Sequence, residues 1–351
     1  MTNRVEIGGR IVGDGESCFI IAEAGVNHGG SIDCAKRLID KAKLAGSDAV
    51  KFQIFNAEEM VTEQAEKAEY QKNTTDQNES QYNMIKKLEL DDEEFRELAR
   101  YAKERGILFL STPFSTKSAD VLEDIGVPAY KIASGEITNL PLLEHIARKG
   151  KPIILSTGMS TLEEISEALK HIKEAGENEI VILHCVTSYP ARPEEINLRA
   201  IGTLRRAFSH PTGLSDHSLG IAASIAAVAL GACVIEKHFT LDRNLPGPDH
   251  KASLQPDELK EMIEAIRVVE KAMGDGIKQP SAEEEKIKQI ARKSVVAGTN
   301  ILPGTIITED MLKIKRPGTG IAPKDIKHVI GKIAKEAIIK DTIIKWDMIT
   351  S

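Results

Sequence analysis

Two histidines occupy matching positions in the stretch from Gly213 to Asp249. Thr212-Gly213-Leu214-Ser215 reads as the end of a buried strand that delivers Asp216 and His217. Cys233-Val234-Ile235-Glu236 reads as the next strand, delivering Lys237 and His238. The apolar, small-residue run Ile221 to Leu230 between them suits a tightly packed helix. Parallel neighbouring strands joined by such a crossover bring both histidines to one edge of one sheet. Two neutral imidazoles a few ångströms apart can hold a divalent metal. One histidine alone would more simply satisfy a buried hydrogen bond. The matched positions, with Asp216, Asp242 and Asp249 nearby, favour the metal.

A second pair of residues points to an anion. Lys51 lies within Ala49-Val50-Lys51-Phe52-Gln53 and Lys131 within Tyr130-Lys131-Ile132-Ala133, both otherwise apolar. A buried lysine needs a negative partner. That partner is either a protein carboxylate, Glu23 or Glu136, or a bound substrate. Thr112, Ser134 and Ser156 fall at strand ends around the lysines. Hydroxyls beside lysines make a pocket for phosphate or carboxylate. With a metal at hand, the substrate expected is small and carries more than one negative charge. Glu23 and Glu136 are then available to move a proton or to order a water.

These residues need a scaffold that gathers strand ends. Eight short runs rich in Val, Ile and Leu supply it, beginning at Cys18, Ala49, Ile107, Tyr130, Pro152, Ile180, Thr212 and Cys233. Such runs fit strands covered on both faces. Helical patterns fill the gaps. Ser31 caps one, Ser160 with Glu163 has capping-box spacing for another, and Gly46, Gly106 and Gly176 stop three of them. Strand then helix, eight times, predicts an α/β fold, a (β/α)8 TIM barrel with its chemistry at the strand ends. A doubly wound sheet is weaker, because no Gly-rich dinucleotide fingerprint follows the first strand. The polar gap 56–90 is an insertion on the catalytic face, either a lid over substrate or a solvated excursion.

Residues 1–273 therefore form the barrel domain and 274–288 a linker, with Gly274-Asp275-Gly276 and Gln279-Pro280-Ser281 as its signals. Residues 289–351 change texture to short β-like pieces, among them Ser294–Ala297 and Thr305–Thr308, punctuated by Pro-Gly pairs. A net charge of −7 over 351 residues excludes general attraction to nucleic acid or anionic membranes. No apolar run approaches the ~18 residues of a membrane span. Cys18, Cys34, Cys185 and Cys233 lack metal-site spacing and suit a reduced, cytoplasmic setting.

The runs Ile21 to Gly30, Val50 to Gln53, Ser111 to Phe114, Tyr130 to Glu136, Leu155 to Met159, Gly213 to His217 and Glu236 to Thr240 together resemble the sialic acid synthase family. The tail, including Lys315-Arg316-Pro317-Gly318, resembles that family's antifreeze-like (SAF) domain, a small β-clip. The resemblance implies condensation of phosphoenolpyruvate with the open-chain aldehyde of N-acetylmannosamine or a close relative. His217 and His238 would ligate Mn²⁺ or Mg²⁺. Glu23 would order the attacking water. Lys51, Thr112, Lys131, Ser134, Ser156, Thr187 and Ser215 match positions that hold phosphoenolpyruvate. Gln53, Glu136, Tyr189, Asp249 and Arg316 match positions that hold the sugar. It implies a homodimer whose swapped tails bring Arg316 to the partner's barrel.

Several members carry Asn after Thr where this chain has His184-Cys185-Val186-Thr187. That departure leaves open a diacetylated sugar giving N,N'-diacetyllegionaminate. Ser134-Gly135-Glu136 looks less like the pseudaminic acid synthases. A metal-dependent pyruvate aldolase and a non-catalytic sugar-binding protein are the competing functions.

Overall fold

The computed structural model describes residues 3–350, which form two compact units dividing after Gly274. The first opens with a hairpin, β1 (Arg4–Ile7) and β2 (Arg10–Gly13). Its turn is Gly8-Gly9, and both residues have positive φ, as the mirror-image hairpin turns demand. Eight strands follow: β3 (Phe19–Gly25), β4 (Ala49–Ile54), β5 (Leu108–Pro113), β6 (Tyr130–Ile132), β7 (Ile153–Ser156), β8 (Ile180–Cys185), β9 (Thr212–Asp216) and β10 (Val234–His238).

These eight are the eight apolar runs of the sequence, and they form one parallel sheet in the order β5-β4-β3-β10-β9-β8-β7-β6. The strands at the two ends of that order pack side by side, so the sheet curls into the expected barrel. Side chains alternate. Val50, Phe52, Ile132, Leu155 and Ile235 join the helices in the outer core, whereas Ile21, Ala49, Leu110, Ile154, Val181 and Val234 fill the barrel's interior. Val5, Ile7 and Val12 of the hairpin belong to that interior cluster and plug its lower end.

The helices follow the sequence signals with one correction. Helix Ile32–Ala45 starts at Ser31 and ends at Gly46, and Asp92–Arg105 ends at Gly106. Helix Leu162–Ala175 is capped by Thr161 with Glu164, one residue beyond the expected Ser160 and Glu163. The Ser160 hydroxyl instead donates to the Gly158 carbonyl, closing the turn before the helix.

The insertion folds into three short helices, Ala57–Met60, Glu69–Thr74 and Gln81–Lys86. Its Ala57, Met84 and Ile85 bury against Val26 and Phe55, from loops just beyond β3 and β4.

In the second unit, part of the expected linker 274–288 is helical. Ser281 and Glu284 cap Ala282–Ala291, and Lys286 and Lys288 pair with glutamates three residues earlier. Beyond it β11 (Ser294–Ala297) pairs antiparallel with β12 (Leu312–Lys315), and isolated bridges join Ile301 to Ile338 and Ile306 to Ile333. Val295, Ile301, Ile307, Ile338 and Ile344 form a core of its own.

Candidate active site

A cavity of about 400 Å³ opens at the carboxyl ends of the barrel strands. Lys51 of β4, Lys131 of β6 and Glu236 of β10 form its floor with Glu23 of β3. Lys51 Nζ lies 2.6 Å from Glu23 Oε2 and 3.6 Å from Glu236 Oε2, and donates to Thr112 Oγ1 at 3.0 Å. Lys131 Nζ lies 3.6 Å from Glu236 Oε1, which accepts from the Ser215 hydroxyl at 2.8 Å. All four charged groups are buried.

Sharing sets their protonation. Burial raises the Glu23 carboxyl, Lys51 lowers it and Glu236 raises it again, leaving it at about 6. Burial also raises Glu236, but Lys131 and Lys51 outweigh it and hold that carboxyl below its ordinary value. For Lys51, burial is outweighed by Glu23 and Glu236, and the net shift is upward. Burial wins at Lys131, whose ammonium is pulled down. Lys131 is thus the cation less fully matched by protein charge.

The expected partner Glu136 is not part of this floor. It sits in the turn Ser134–Glu136 and its Oε2 accepts from Asn139 Nδ2 at 2.7 Å, while Gly135 faces the cavity. Glu236 takes the counter-ion place. The strand's period of two carries the signal: if His238 points into the barrel, so does Glu236, and Lys237 points away. Lys237 indeed pairs with Asp216 Oδ2 at 2.9 Å, and that carboxylate also accepts from Ser224 of helix Ala222–Ala229. Asp242 caps its own turn through the Asn244 amide. Of the three aspartates near the histidines, Asp249 alone lines the cavity.

His217 and His238 lie as the sequence placed them, with ring centroids 5.3 Å apart. His217 Nδ1 is 2.8 Å from the Val186 carbonyl, which fixes the proton on Nδ1 and leaves the Nε2 lone pair toward Tyr189 Oη at 3.1 Å. Burial, then the charges of His217 and nearby lysines, keep His238 neutral, and its Nδ1 has no hydrogen-bond partner. At His217 burial is outweighed by Cys185 and the Val186 carbonyl, and the net shift is upward, so a divalent metal would take the place of a proton on its Nε2 beside the neutral His238 ring. Among the described residues no third His, Cys, Asp or Glu completes a cluster, so the chain offers two nitrogens.

The remaining expected residues sort cleanly. Thr112, Ser134, Ser156, Thr187 and Ser215 all line the cavity. The Ser156 hydroxyl is buried without a partner, and Ser134 Oγ accepts from the Gly158 amide at 2.9 Å. Gln53 Nε2 donates to Glu23 Oε1 at 2.9 Å. Tyr189 stacks on His217 at 4.1 Å, and Tyr70 of the insertion stacks on Tyr189 at 5.0 Å. Arg316 is exposed just past β12 in the second unit.

Buried cations, carboxylates and paired imidazoles gathered at the carboxyl ends of barrel strands define a (β/α)8 enzyme. The sequence matches the NeuB family over residues 38–278 and the SAF domain over 292–350. The chain belongs to the NeuB family of sialic acid synthases. It is 52% identical over 329 residues to the N,N'-diacetyllegionaminic acid synthase of Campylobacter jejuni, covering 93% of this chain and 98% of that one. Over 344 residues it is 39% identical to the N-acetylneuraminate-9-phosphate synthase of Homo sapiens, covering 97% and 95%. The crystal structure of the sialic acid synthetase of Leptospira borgpetersenii, in complex with citrate, superposes with a TM-score of 0.73 at 37% identity, over 82% of this chain and 95% of that one. None of the described helices is long and apolar enough to cross a membrane.

Proposed function

We propose that this enzyme condenses phosphoenolpyruvate with the open-chain aldehyde of a 2-acetamido sugar, N-acetylmannosamine or a diacetylated relative, and releases phosphate. The observation that carries this reading is the floor: Lys51 and Lys131 buried beside the partnerless Ser156 hydroxyl and next to the paired rings of His217 and His238. Lys51, Lys131, Thr112, Ser134, Ser156, Thr187 and Ser215 would hold the phosphate and carboxylate. Gln53, Glu136, Tyr189 and Asp249 would hold the sugar. A divalent metal, Mn²⁺ or Mg²⁺, held by His217 and His238, would polarise the aldehyde oxygen.

C3 of phosphoenolpyruvate attacks the aldehyde carbon, forming the new C–C bond and leaving an alkoxide on the former aldehyde oxygen. Water adds to C2 and gives its proton to Glu23, which Lys51 and Gln53 hold in place and which is ionised at neutral pH. The C2–O bond then breaks, phosphate leaves with the proton of the C2 hydroxyl, C2 becomes the keto carbon of the product, and the alkoxide takes the proton from Glu23 to become a hydroxyl. Isotope tracing tests the sequence. Phosphoenolpyruvate labelled with ¹⁸O in its bridging position should deliver the label to phosphate, with sugar-dependent release. A pyruvate aldolase would release none.

The SAF domain's exposed Arg316 is the sugar contact we assign to a second copy of the chain. Mixing Arg316→Ala with His238→Ala should then restore about a quarter of wild-type activity, because about half of randomly reassorted dimers are mixed and each carries one whole site. Two inactive proteins that stay inactive on mixing would overturn this assignment.

A further inference from the structure

The proposed reaction fixes what happens at one end of the sugar and says nothing of the other. The insertion supplies that end of the cavity. Seven of its side chains line it: Met60, Met84, Ile85 and Leu88, with Tyr70, Gln71 and Gln81. None is charged, although the segment is rich in Lys and Glu. Phe55 and Val26, from the loops after β4 and β3, pack on Met84 and Ile85, so this wall is a continuous apolar surface.

The segment's lysines are all committed elsewhere. Lys67 pairs with Glu79 and bonds Thr75 and the Asp76 carbonyl, Lys72 pairs with Glu66, Lys86 with Glu58 and Glu89, and Lys87 with Glu79. None of the four faces the cavity. The cavity's charged lining is Lys51 and Lys131 against Glu23, Glu236 and Asp249. One guanidinium from a second copy and the divalent metal on His217 and His238 would bring it to about +2, which the carboxylate and phosphate of phosphoenolpyruvate take up in full. A second phosphate, on the sugar, would be buried against Met and Leu with no cation to meet it, and an unpaired buried charge is strongly disfavoured.

We infer that the insertion 56–90 is a specificity wall that selects an uncharged amino sugar, with a methyl or acylamino group at the end away from the aldehyde, and rejects the sugar phosphate. Met60, Met84 and Leu88 are its specificity-determining residues. Flexible thioethers suit this role, since they fill irregular apolar space around a substituent. The inference rests on the condensation proposed above.

The experiment compares kcat/KM for phosphate release with three sugars: N-acetylmannosamine, its 6-phosphate, and 2,4-diacetamido-2,4,6-trideoxymannose. The trideoxy sugar should be the best of the three, and the 6-phosphate should fall at least ~100-fold below it. Met84→Lys places a cation in the wall. It should raise the ratio of the 6-phosphate to the trideoxy sugar at least ~10-fold, the gain of one charged hydrogen bond. The ratio is taken within one protein, so a general loss of folded enzyme cancels. Should that variant fail to fold, Leu88→Lys on the half-buried rim makes the same test. A wild-type enzyme that prefers the 6-phosphate, or a ratio unmoved by a folded lysine variant, overturns the inference and leaves the condensation standing. No sugar-dependent phosphate release from any of the three overturns the condensation, and the inference with it.

Discussion

Lys51 Nζ lies 2.6 Å from Glu23 Oε2, an ion pair almost wholly closed to solvent. The pair answers the question a buried lysine raises, and answers it twice, because Glu236 stands 3.6 Å from the same ammonium. Lys51 is therefore both a structural counter-ion and, by its place in the cavity, an anion ligand. Lys131 has a single carboxylate, at 3.6 Å, and burial lowers its proton affinity.

The two lysines should consequently fail in different ways. Lys51→Ala leaves Glu23 and Glu236 buried with less compensation and should cost about 3–5 kcal/mol of stability. Lys131→Ala should cost less, since Glu236 keeps Lys51 and the Ser215 hydroxyl. Each should raise the KM for phosphoenolpyruvate at least ~10-fold with a smaller effect on that for the sugar. Denaturant unfolding and steady-state kinetics on both variants check this. Equal stability loss, or equal KM effects on both substrates, would contradict it.

A pH effect on stability follows from His28. The side chain is buried behind β3, its Nδ1 accepts from the Gly30 amide at 3.1 Å, and burial, then the neighbouring His250, lower its pKa to about 4. Above pH 6.5 the imidazole is neutral whether the chain is folded or not, and it costs nothing. As pH falls below 6.5 the unfolded chain takes a proton that the folded chain refuses, so stability drops until about pH 4. Between pH 7 and pH 5 the loss from this one group is about 2 kcal/mol. Urea unfolding of wild type and His28→Asn at both pH values isolates it. The variant should lose less stability on acidification by about that amount, and identical losses would rule His28 out.

How far the sequence reached depended on whether a signal was local. The eight strands and their order around a barrel follow from runs such as Ile180 to Leu183, buried on both faces. The paired positions of His217 and His238 follow from two such runs in register, Ile235 beside Leu214. Treating the whole end of a strand as one exposed tip hid the rest. Glu236, counted as strand body, faces the cavity, whereas Asp216 and Lys237, counted as tip residues, turn outward to each other. Alternation along β10 separates them without any structure. Glu136 is not the lysines' counter-ion for another reason: it stands in a tight turn after β6 and bonds Asn139, and no periodicity reports a turn's direction. The hairpin that plugs the barrel was legible in Val5, Ile7 and Val12 around Gly8-Gly9, but it resembles a polar leader when read by composition.

His238→Ala should abolish metal binding rather than folding. The ring is neutral and its Nδ1 has no hydrogen-bond partner, so its removal leaves no buried polar group unpaired and costs only its packing against Tyr189 and His217. Titration of the metal-free protein with Mn²⁺, followed by electron paramagnetic resonance, should show saturable binding in wild type and none in the variant. Thermal unfolding of the two without metal should agree within about 1–2 °C, which in a chain this long corresponds to about 1 kcal/mol. Undiminished Mn²⁺ binding would remove His238 from the site.

Gly158, just past β7, makes the sharpest prediction about the anion floor, because it needs no assumption about protonation. A Cβ at this position would lie 2.2 Å from Thr187 Oγ1, 2.8 Å from Ser134 Oγ and 3.2 Å from Cys185 Sγ. The Gly158 amide also donates to that same Ser134 oxygen at 2.9 Å, so the hydroxyl that the backbone holds here is the one a Cβ would strike. Gly158→Ala must therefore displace Ser134 and Thr187 together, at a cost of about 1–3 kcal/mol for the overpacking. Both hydroxyls line the end of the cavity assigned to phosphoenolpyruvate, whereas the insertion's wall lies on other residues. The variant should fold, keep its preference among sugars, and show a KM for phosphoenolpyruvate raised about 10-fold or more. Steady-state kinetics with each substrate varied in turn decides it. A raised KM for the sugar with that for phosphoenolpyruvate unchanged would mean that the two ends of the cavity have been assigned the wrong way round.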